Sequence, residues 1–181
     1  MIRNELDIVR DLSERFDALH VPFMLTGSLA MSFYAMPRMT RDIDFVLDLQ
    51  PGDAPRLVTA LENDYYIALE SVQSALRLQR QFNIIHQESV IKVDCIIRKE
   101  TEFAVAEFTR RQPLASGDLR TTIVTKEDLI LAKLAWARRS RSETQLKDVS
   151  NLLARGYDRE YVEGWADRLG LRDSLEECRR G

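Results

Sequence analysis

The sequence has few of the residues that build disulfide frameworks and zinc sites. It contains two cysteines and two histidines in 181 residues. Cys95 and Cys178 form no Cys-x-x-Cys pair and have no Cys/His ligand spacing, so neither a disulfide framework nor a zinc site is expected. His20 and His86 are too scattered for a histidine-based metal site or catalytic triad, and we expect them to be structural or surface residues.

Uninterrupted apolar runs are also short. None reaches the roughly 18 to 20 residues that a membrane helix needs, and residues 1–10 are charged rather than signal-like. We therefore expect a cytoplasmic protein with no membrane partner.

A strong positive charge is absent as well. The net charge of −3 argues against a protein whose whole surface binds nucleic acid, because a basic stripe is the expected footprint of such a protein. Two basic clusters, at residues 110–111 and 138–141, leave a local site for RNA or nucleotide phosphate open. Clusters of this kind in loops are more often simply solvated.

Composition and periodicity favour a single mixed domain. The chain has 45% hydrophobic and 30% charged residues, which is typical of a globular protein. We expect an α/β (α+β) fold with a small mixed β-sheet, flanking helices and a C-terminal helical extension. In this interpretation residues 1–181 form one domain, with a core over residues 1–124 and an extension over residues 125–181 that closes one side of a cleft.

Local periodicity predicts the elements. Strands are expected at residues 23–26, from residue 42 onwards, and at 65–69, 82–86, 90–97 and 121–124. Helices are expected at residues 4–19, 29–34, 53–62, 102–111, 125–138, 142–154, 159–169 and 172–178. Residues 71–78 are ambiguous, whereas 82–86 and 90–97 are typical of a hairpin.

A Gly-Ser pair follows the first predicted strand. Gly27 permits a tight turn, and Ser28 is expected to cap a helix that begins near Leu29. A helix N-terminus entered through such a turn can hold an anion. On its own, however, a Gly-Ser pair before a helix is usually only a cap.

Three aspartates are expected to meet beside this turn. Asp42 and Asp44 alternate along a strand, so both side chains project from one face, and Asp94 takes the same kind of position on the later strand of the hairpin. Neighbouring carboxylates repel one another unless a cation lies between them, and oxygen ligands of this kind suit Mg²⁺. Two magnesium ions held by three acids could clamp a triphosphate for in-line displacement, which implies nucleotidyl transfer.

These motifs resemble the signature of the DNA polymerase beta-like nucleotidyltransferase superfamily. Residues 37–44 and 125–133 are similar to the catalytic-strand entry and the lysine-bearing helix of its minimal, AbiEii toxin-like branch. The resemblance implies catalytic and metal-binding roles for the three aspartates and phosphate binding by the Gly-Ser turn, at Asp42, Asp44, Asp94, Gly27 and Ser28.

The resemblance also singles out two later positions. Lys133 would match a functional, nucleotide-binding lysine, although a lysine on so apolar a helix can also extend its ammonium group to water. Asp148 would match a later acidic motif, which usually reads Arg-Asp with another Asp three residues on; here Lys147 and Asn151 occupy those places. Nearer the acids, Arg38 could contact nucleotide phosphate through its fork of donors or lie on solvated surface.

Three functions are compatible with these residues. The first is an enzyme that transfers a nucleoside monophosphate from a magnesium-bound nucleoside triphosphate, ATP among the candidates, to an acceptor, with release of pyrophosphate. The resemblance suggests transfer RNA or a protein as the acceptor, and a toxin that an antitoxin partner controls. The second is a catalytically silent nucleotide-binding or partner-binding module of the same fold. The third, a metal-dependent nuclease, leaves the Gly-Ser turn unexplained.

Overall fold

A seven-stranded mixed sheet forms the centre of the fold in the computed structural model, which describes residues 4–36 and 42–180. The strands are β1 (Phe23–Thr26), β2 (Ile43–Leu47), β3 (Tyr65–Tyr66), β4 (Gln81–His86), β5 (Lys92–Ile97), β6 (Gln112–Ser116) and β7 (Leu119–Ile123). Their order across the sheet is β3-β4-β5-β2-β1-β7-β6. At its middle, β2 runs antiparallel to β1 and parallel to β5.

The described part of the chain also contains nine α-helices. They are α1 (Glu5–Ala18), α2 (Gly27–Met31), α3 (Ala54–Leu61), α4 (Leu69–Leu78), α5 (Glu102–Thr109), α6 (Lys126–Ser140), α7 (Glu143–Leu153), α8 (Arg159–Arg168) and α9 (Arg172–Arg180). A 3₁₀ turn, Pro51–Asp53, precedes α3. None of the described helices is long and apolar enough to cross a membrane.

The alternation of β2 determines which side of the sheet carries the acids. Ile43, Phe45 and Leu47 are fully buried, and the ring of Phe45 packs against Phe16 of α1 with the ring centroids 5.5 Å apart. Because successive side chains of a strand point to opposite faces, Asp44 projects from the face away from this aromatic contact. The hydrophobic core thus leaves the other side of β2 available for a polar site.

Helix α6 begins at a side-chain cap and is held by a buried acid. The hydroxyl of its N-cap Thr125 accepts a hydrogen bond from the backbone of Asp128, which satisfies one of the free N–H groups at the start of the helix. The Asp128 carboxylate is fully buried and accepts hydrogen bonds from Thr125 (2.6 Å), Arg110 (3.1 Å) and Tyr161 (2.6 Å). These contacts fix α6 to the end of α5 and to α8.

Most predicted elements are present with shifted ends, and a few predictions are wrong. The predicted hairpin is β4 and β5, the ambiguous residues 71–78 belong to α4, and the edge strand expected at 65–69 is limited to β3. The expected cap at Ser28 is wrong because α2 already begins at Gly27, with Thr26 at its N-cap and no capping side chain. Strand β6 was not predicted, since its residues are mostly exposed and show no apolar alternation.

Candidate active site

Asp44 and Asp94 lie side by side on neighbouring parallel strands. The register of β2 and β5 places Asp44 directly opposite Asp94, while Thr26 of β1 is opposite Asp44 on the other side. Asp42 immediately precedes β2, and its side chain lines the same cleft. The structure therefore brings the three predicted aspartates together.

Gly27 allows the backbone to pass unusually close to Asp44. Its φ angle of +70° lies in the left-handed region that favours glycine. A Cβ atom at this position would lie 2.0 Å from Oδ2 of Asp44, far inside van der Waals contact. The turn into α2 and the acid can approach this closely only with glycine here, and Ser28 continues the lining of the cleft.

Burial and neighbouring charges disfavour the ionised form of Asp44. Removal from water has the largest effect, and the charges of Asp94 and Asp42 add to it. Lys133 and Lys92 act in the opposite direction, but the balance raises the pKa of Asp44 from 3.8 to about 6. A cation beside this carboxylate would favour its charged form, so the cluster has the electrostatics of a cation site.

Two side chains that were not predicted as site residues hold Asp94. Nζ of Lys92 lies 3.1 Å from Oδ2 of Asp94. With its amide nitrogen turned toward the carboxylate, Asn83 donates to Oδ1 of Asp94 at 2.6 Å, and the two residues are directly opposite in the β4–β5 ladder. Strand alternation could have identified Lys92, which is two residues from Asp94, whereas Asn83 depends on the hairpin register.

The acids and the Gly-Ser turn line a cleft of about 320 Å³. One face of α6 lines it as well, with residues at helical spacing: Leu129, Ala132, Lys133 and Trp136. Side chains from other elements complete the lining: Thr26, Gln81, Ile96 and Gln145. Arg38, the other predicted phosphate contact, lies outside the described residues.

Lys133 is buried in this lining and paired with Asp148. Its Nζ lies 2.7 Å from Oδ2 of Asp148 and 3.1 Å from Oε1 of Gln145. The two charged side chains are only 5% and 4% exposed, so the ammonium group is held inside the protein rather than extended into water. The two later positions that the family resemblance singles out therefore form one buried ion pair.

The oxygen donors of the cleft fit a magnesium ion that substrate phosphates help to bind. Among the residues that the structure describes, no three carboxylate, imidazole or thiol groups converge closely enough to enclose a metal ion by themselves. Magnesium, however, is usually held by one or two carboxylates together with substrate phosphates. Asp42 and Asp44 can supply such carboxylates, and Asp94 can join them if its carboxylate exchanges Lys92 for the ion.

Comparison with solved structures defines the class of fold. An antigenic nucleotidyltransferase-like protein from Paracoccidioides brasiliensis matches with a TM-score of 0.56 and 13% identity, over 96% of this chain and 90% of that one. The lincomycin-bound lincosamide antibiotic adenylyltransferase LnuA matches with a TM-score of 0.53 and 15% identity, over 81% of this chain and 94% of that one. The antibiotic-resistance factor ANT(2'')-Ia matches with a TM-score of 0.51 and 12% identity, over 97% of this chain and 89% of that one. The chain therefore has a nucleotidyltransferase-like fold.

A family model identifies the chain more narrowly. Residues 10–162 match the model of the nucleotidyl transferase AbiEii toxin of type IV toxin–antitoxin systems. Because the match covers most of the chain, the protein belongs to the AbiEii nucleotidyltransferase toxin family, which confirms the resemblance noted in its sequence. Among curated proteins, none matches the chain significantly.

Proposed function

We propose that this protein is a magnesium-dependent enzyme that moves a nucleoside monophosphate from a nucleoside triphosphate to an acceptor. The observation that carries the proposal is the pairing of Asp44 with Asp94 beside the close backbone turn at Gly27. The sheet register holds the two carboxylates together although the pKa of Asp44 is raised to about 6. Such an arrangement costs stability unless a cation relieves it.

In this proposal the three aspartates have different roles. Asp42 and Asp44 would hold two Mg²⁺ ions and Asp94 would complete the set. When bound, the ions would neutralise the triphosphate and lower the pKa of the attacking hydroxyl. The acceptor oxygen forms a bond to the α-phosphorus, the bond to the bridging oxygen breaks, and pyrophosphate leaves. Asp94 would assist by accepting the proton of the attacking oxygen.

The remaining predicted residues would bind the nucleotide. Gly27 and Ser28 are proposed to position the outer phosphates, because they line the cleft beside the acids. Lys133 would contribute positive charge from α6, and it already lowers the pKa of Asp44 from within the cleft. Arg38 is proposed as a further phosphate contact on the strength of its sequence position alone.

Membership of the AbiEii family supports a role as a toxin that an antitoxin partner restrains. The acceptor in this proposal is a transfer RNA or a protein that presents a hydroxyl or phosphate group. Residues 125–181 would act as a helical extension that closes one side of the cleft, since α6 contributes Lys133 and Trp136 to its lining.

One observation favours a second candidate, a catalytically silent nucleotide-binding module. The ammonium group of Lys92 pairs with Asp94 at 3.1 Å, and so competes with any metal ion for that carboxylate. If the pair persisted in the nucleotide complex, Asp94 would be lost to catalysis while nucleotide binding continued.

Calorimetric titration tests the proposed site without knowledge of the acceptor. Each of the four nucleoside triphosphates is titrated, with and without Mg²⁺, into the wild-type protein and the Asp42→Ala, Asp44→Ala double variant. The matched control is Asp118→Ala, which removes an exposed acid from the turn between β6 and β7. We expect magnesium-dependent binding by the wild type and the control, and its loss in the double variant.

The outcomes separate the two candidates. Binding followed by pyrophosphate release when RNA or protein acceptors are added supports the enzyme. Binding without release for any acceptor supports the silent module. If folded wild-type protein binds none of the four nucleotides, the proposal is wrong.

A further inference from the structure

Trp136 is unusual among the exposed apolar side chains because it lines the cleft. It is 51% exposed. The other large apolar side chains that are exposed in the described part of the chain all lie outside the lining of this cleft: Leu6, Met36, Tyr66, Leu78, Val90 and Val105. A half-exposed indole beside a cluster of acids presents a flat apolar surface that a ligand can cover.

The spacing of α6 places Trp136 next to the charged part of the cleft. Trp136 follows Lys133 by three residues, which puts both side chains on one face of the helix and separates them by about 4.5 Å along its axis. On the strands, Ile96 follows Asp94 by two residues on the same face, about 6.6 to 6.8 Å further along. Trp136 is thus the next lining residue of α6 after Lys133, and Ile96 is the next lining residue of β5 after Asp94.

Each of these two apolar side chains has a polar neighbour. Gln81, an exposed residue of the lining, is directly opposite Ile96 in the β4–β5 ladder. The guanidinium carbon of Arg139 lies 5.7 Å from the centroid of the Trp136 ring, within the range of a cation–π contact. A guanidinium covers one face of an indole at most, and about half of Trp136 remains exposed.

We infer that Trp136 is the platform on which the nucleobase of the bound nucleoside triphosphate stacks. This inference rests on the proposed function, because the acids and the Gly-Ser turn must bind the triphosphate for the base to reach the indole. The lining combines the kinds of group that a nucleotide needs: polar groups for phosphate, the aromatic face of Trp136 and the side chain of Ile96 for the base, and the amide of Gln81 for its polar edge. Base stacking on aromatic side chains needs no particular base, since every base has a π face.

The test compares nucleotides with a ligand that has phosphates but no base. Magnesium-dependent binding of the four nucleoside triphosphates and of inorganic triphosphate is measured by calorimetry. The proteins are the wild type, Trp136→Ala, Trp136→Tyr and the control Tyr66→Ala, which removes an exposed aromatic ring outside the cleft. Thermal unfolding checks that every variant is folded.

We expect Trp136→Ala to weaken nucleotide binding by about 5- to 150-fold, the usual contribution of one stacked base. Binding of inorganic triphosphate should stay unchanged. Trp136→Tyr should keep most of the affinity because it retains an aromatic face, and Tyr66→Ala should bind as the wild type does.

Fluorescence supplies a direct readout of stacking. Nucleotide should quench the emission of the wild type, whose two tryptophans are Trp136 and Trp165, and quench the Trp136→Tyr protein much less. Equal affinities of the wild type and Trp136→Ala for all four nucleotides would overturn the inference and leave the proposed function standing. If wild type binds inorganic triphosphate but nucleotides no better, the base has no subsite and the inference is wrong. If it binds neither, the inference and the proposed function fail together.

Discussion

Gly27 has no side chain, and this allows the turn between β1 and α2 to approach Asp44 closely. We expect Gly27→Ala to lower the free energy of unfolding by about 1 to 3 kcal/mol, because alanine is strained at a φ of +70°. Its Cβ atom would also lie 2.0 Å from Oδ2 of Asp44 and displace that carboxylate. Magnesium-dependent nucleotide binding, measured by calorimetry, should therefore fall at least about tenfold, a loss of about 1.4 kcal/mol.

Gly52→Ala is the matched control for this substitution. A Cβ atom at Gly52 would meet no other atom within 4 Å, and its φ angle is not in the left-handed region. Urea unfolding and nucleotide binding should both stay close to those of the wild type. Equal behaviour of the two alanine variants would mean that the close approach at Gly27 has no role in the site.

The raised pKa of Asp44 predicts an unusual dependence of stability on pH. Its pKa is raised from 3.8 to about 6 by burial and by the neighbouring carboxylates, so between these values the folded protein binds more protons than the unfolded chain. The contribution of Asp44 to the free energy of unfolding therefore falls as the pH rises through this window. The full decrease in the free energy of unfolding across this window is on the order of 3 kcal/mol. Mg²⁺ should restore part of this stability above pH 6.

The measurement compares two proteins so that the contribution of Asp44 alone is obtained. Urea unfolding of the metal-free wild type and of Asp44→Asn is followed between pH 4 and pH 7.5. We expect the variant to gain stability relative to the wild type as the pH rises, and magnesium to stabilise only the wild type strongly. A difference between the two proteins that does not vary with pH would contradict the raised pKa.

Between elements, the buried pair of Lys133 and Asp148 connects α6 to α7. Removal of one partner leaves a buried charge without its counter-ion, so Asp148→Asn or Lys133→Met should lower the free energy of unfolding by about 3 to 5 kcal/mol. Replacement of both by apolar residues, as in Lys133→Met with Asp148→Leu, should restore most of this stability, because the cost of burying two charges is then absent.

Nucleotide binding distinguishes a structural pair from a functional one. If Lys133 contributes positive charge to the nucleotide, the double variant is stable in urea yet binds nucleoside triphosphate weakly in calorimetry. A stable double variant that binds as tightly as the wild type would assign the pair to the packing of α6 on α7 alone.

Local patterns predicted the elements that carry the acids, but not the contacts between elements. The alternation of β2 and the β4–β5 hairpin are readable because each depends on residues close in sequence. The parallel pairing of β2 with β5, which places Asp44 beside Asp94, joins strands far apart in the chain and was inferred from the shared chemistry of the acids. The burial of Lys133 with Asp148 depends on how two helices pack, which periodicity does not specify. Strand β6 was not predicted because the residues of this edge strand are mostly exposed and form no apolar face.

For the whole molecule, we propose that the sheet and the C-terminal helices unfold as one unit. Helix α6 contributes Ile130 and Leu134, both fully buried, to the same hydrophobic core as β1, β2 and β5. A core shared in this way couples residues 125–181 to residues 1–124, because neither part can unfold without exposing apolar surface of the other.

The chain contains natural reporters for this coupling. Both tryptophans, Trp136 and Trp165, lie in the C-terminal helices, whereas Cys95 lies in β5 and is 1% exposed. Burial raises the pKa of the Cys95 thiol, so it should react with a labelling reagent only in unfolded protein. Cys178 reports in the same way on α9, where it is 5% exposed.

In a urea titration, tryptophan fluorescence and pulse labelling of both thiols, resolved by peptide mass spectrometry, should give one common midpoint. Labelling of Cys178 and loss of tryptophan signal at lower urea, with Cys95 still protected, would instead mean that the helices form a separate folding unit. That outcome bears on function as well, because Lys133 and Trp136 belong to α6. A helical part that opens independently would expose the cleft without unfolding the acid-bearing strands, whereas a common transition means that the cleft and the fold are lost together.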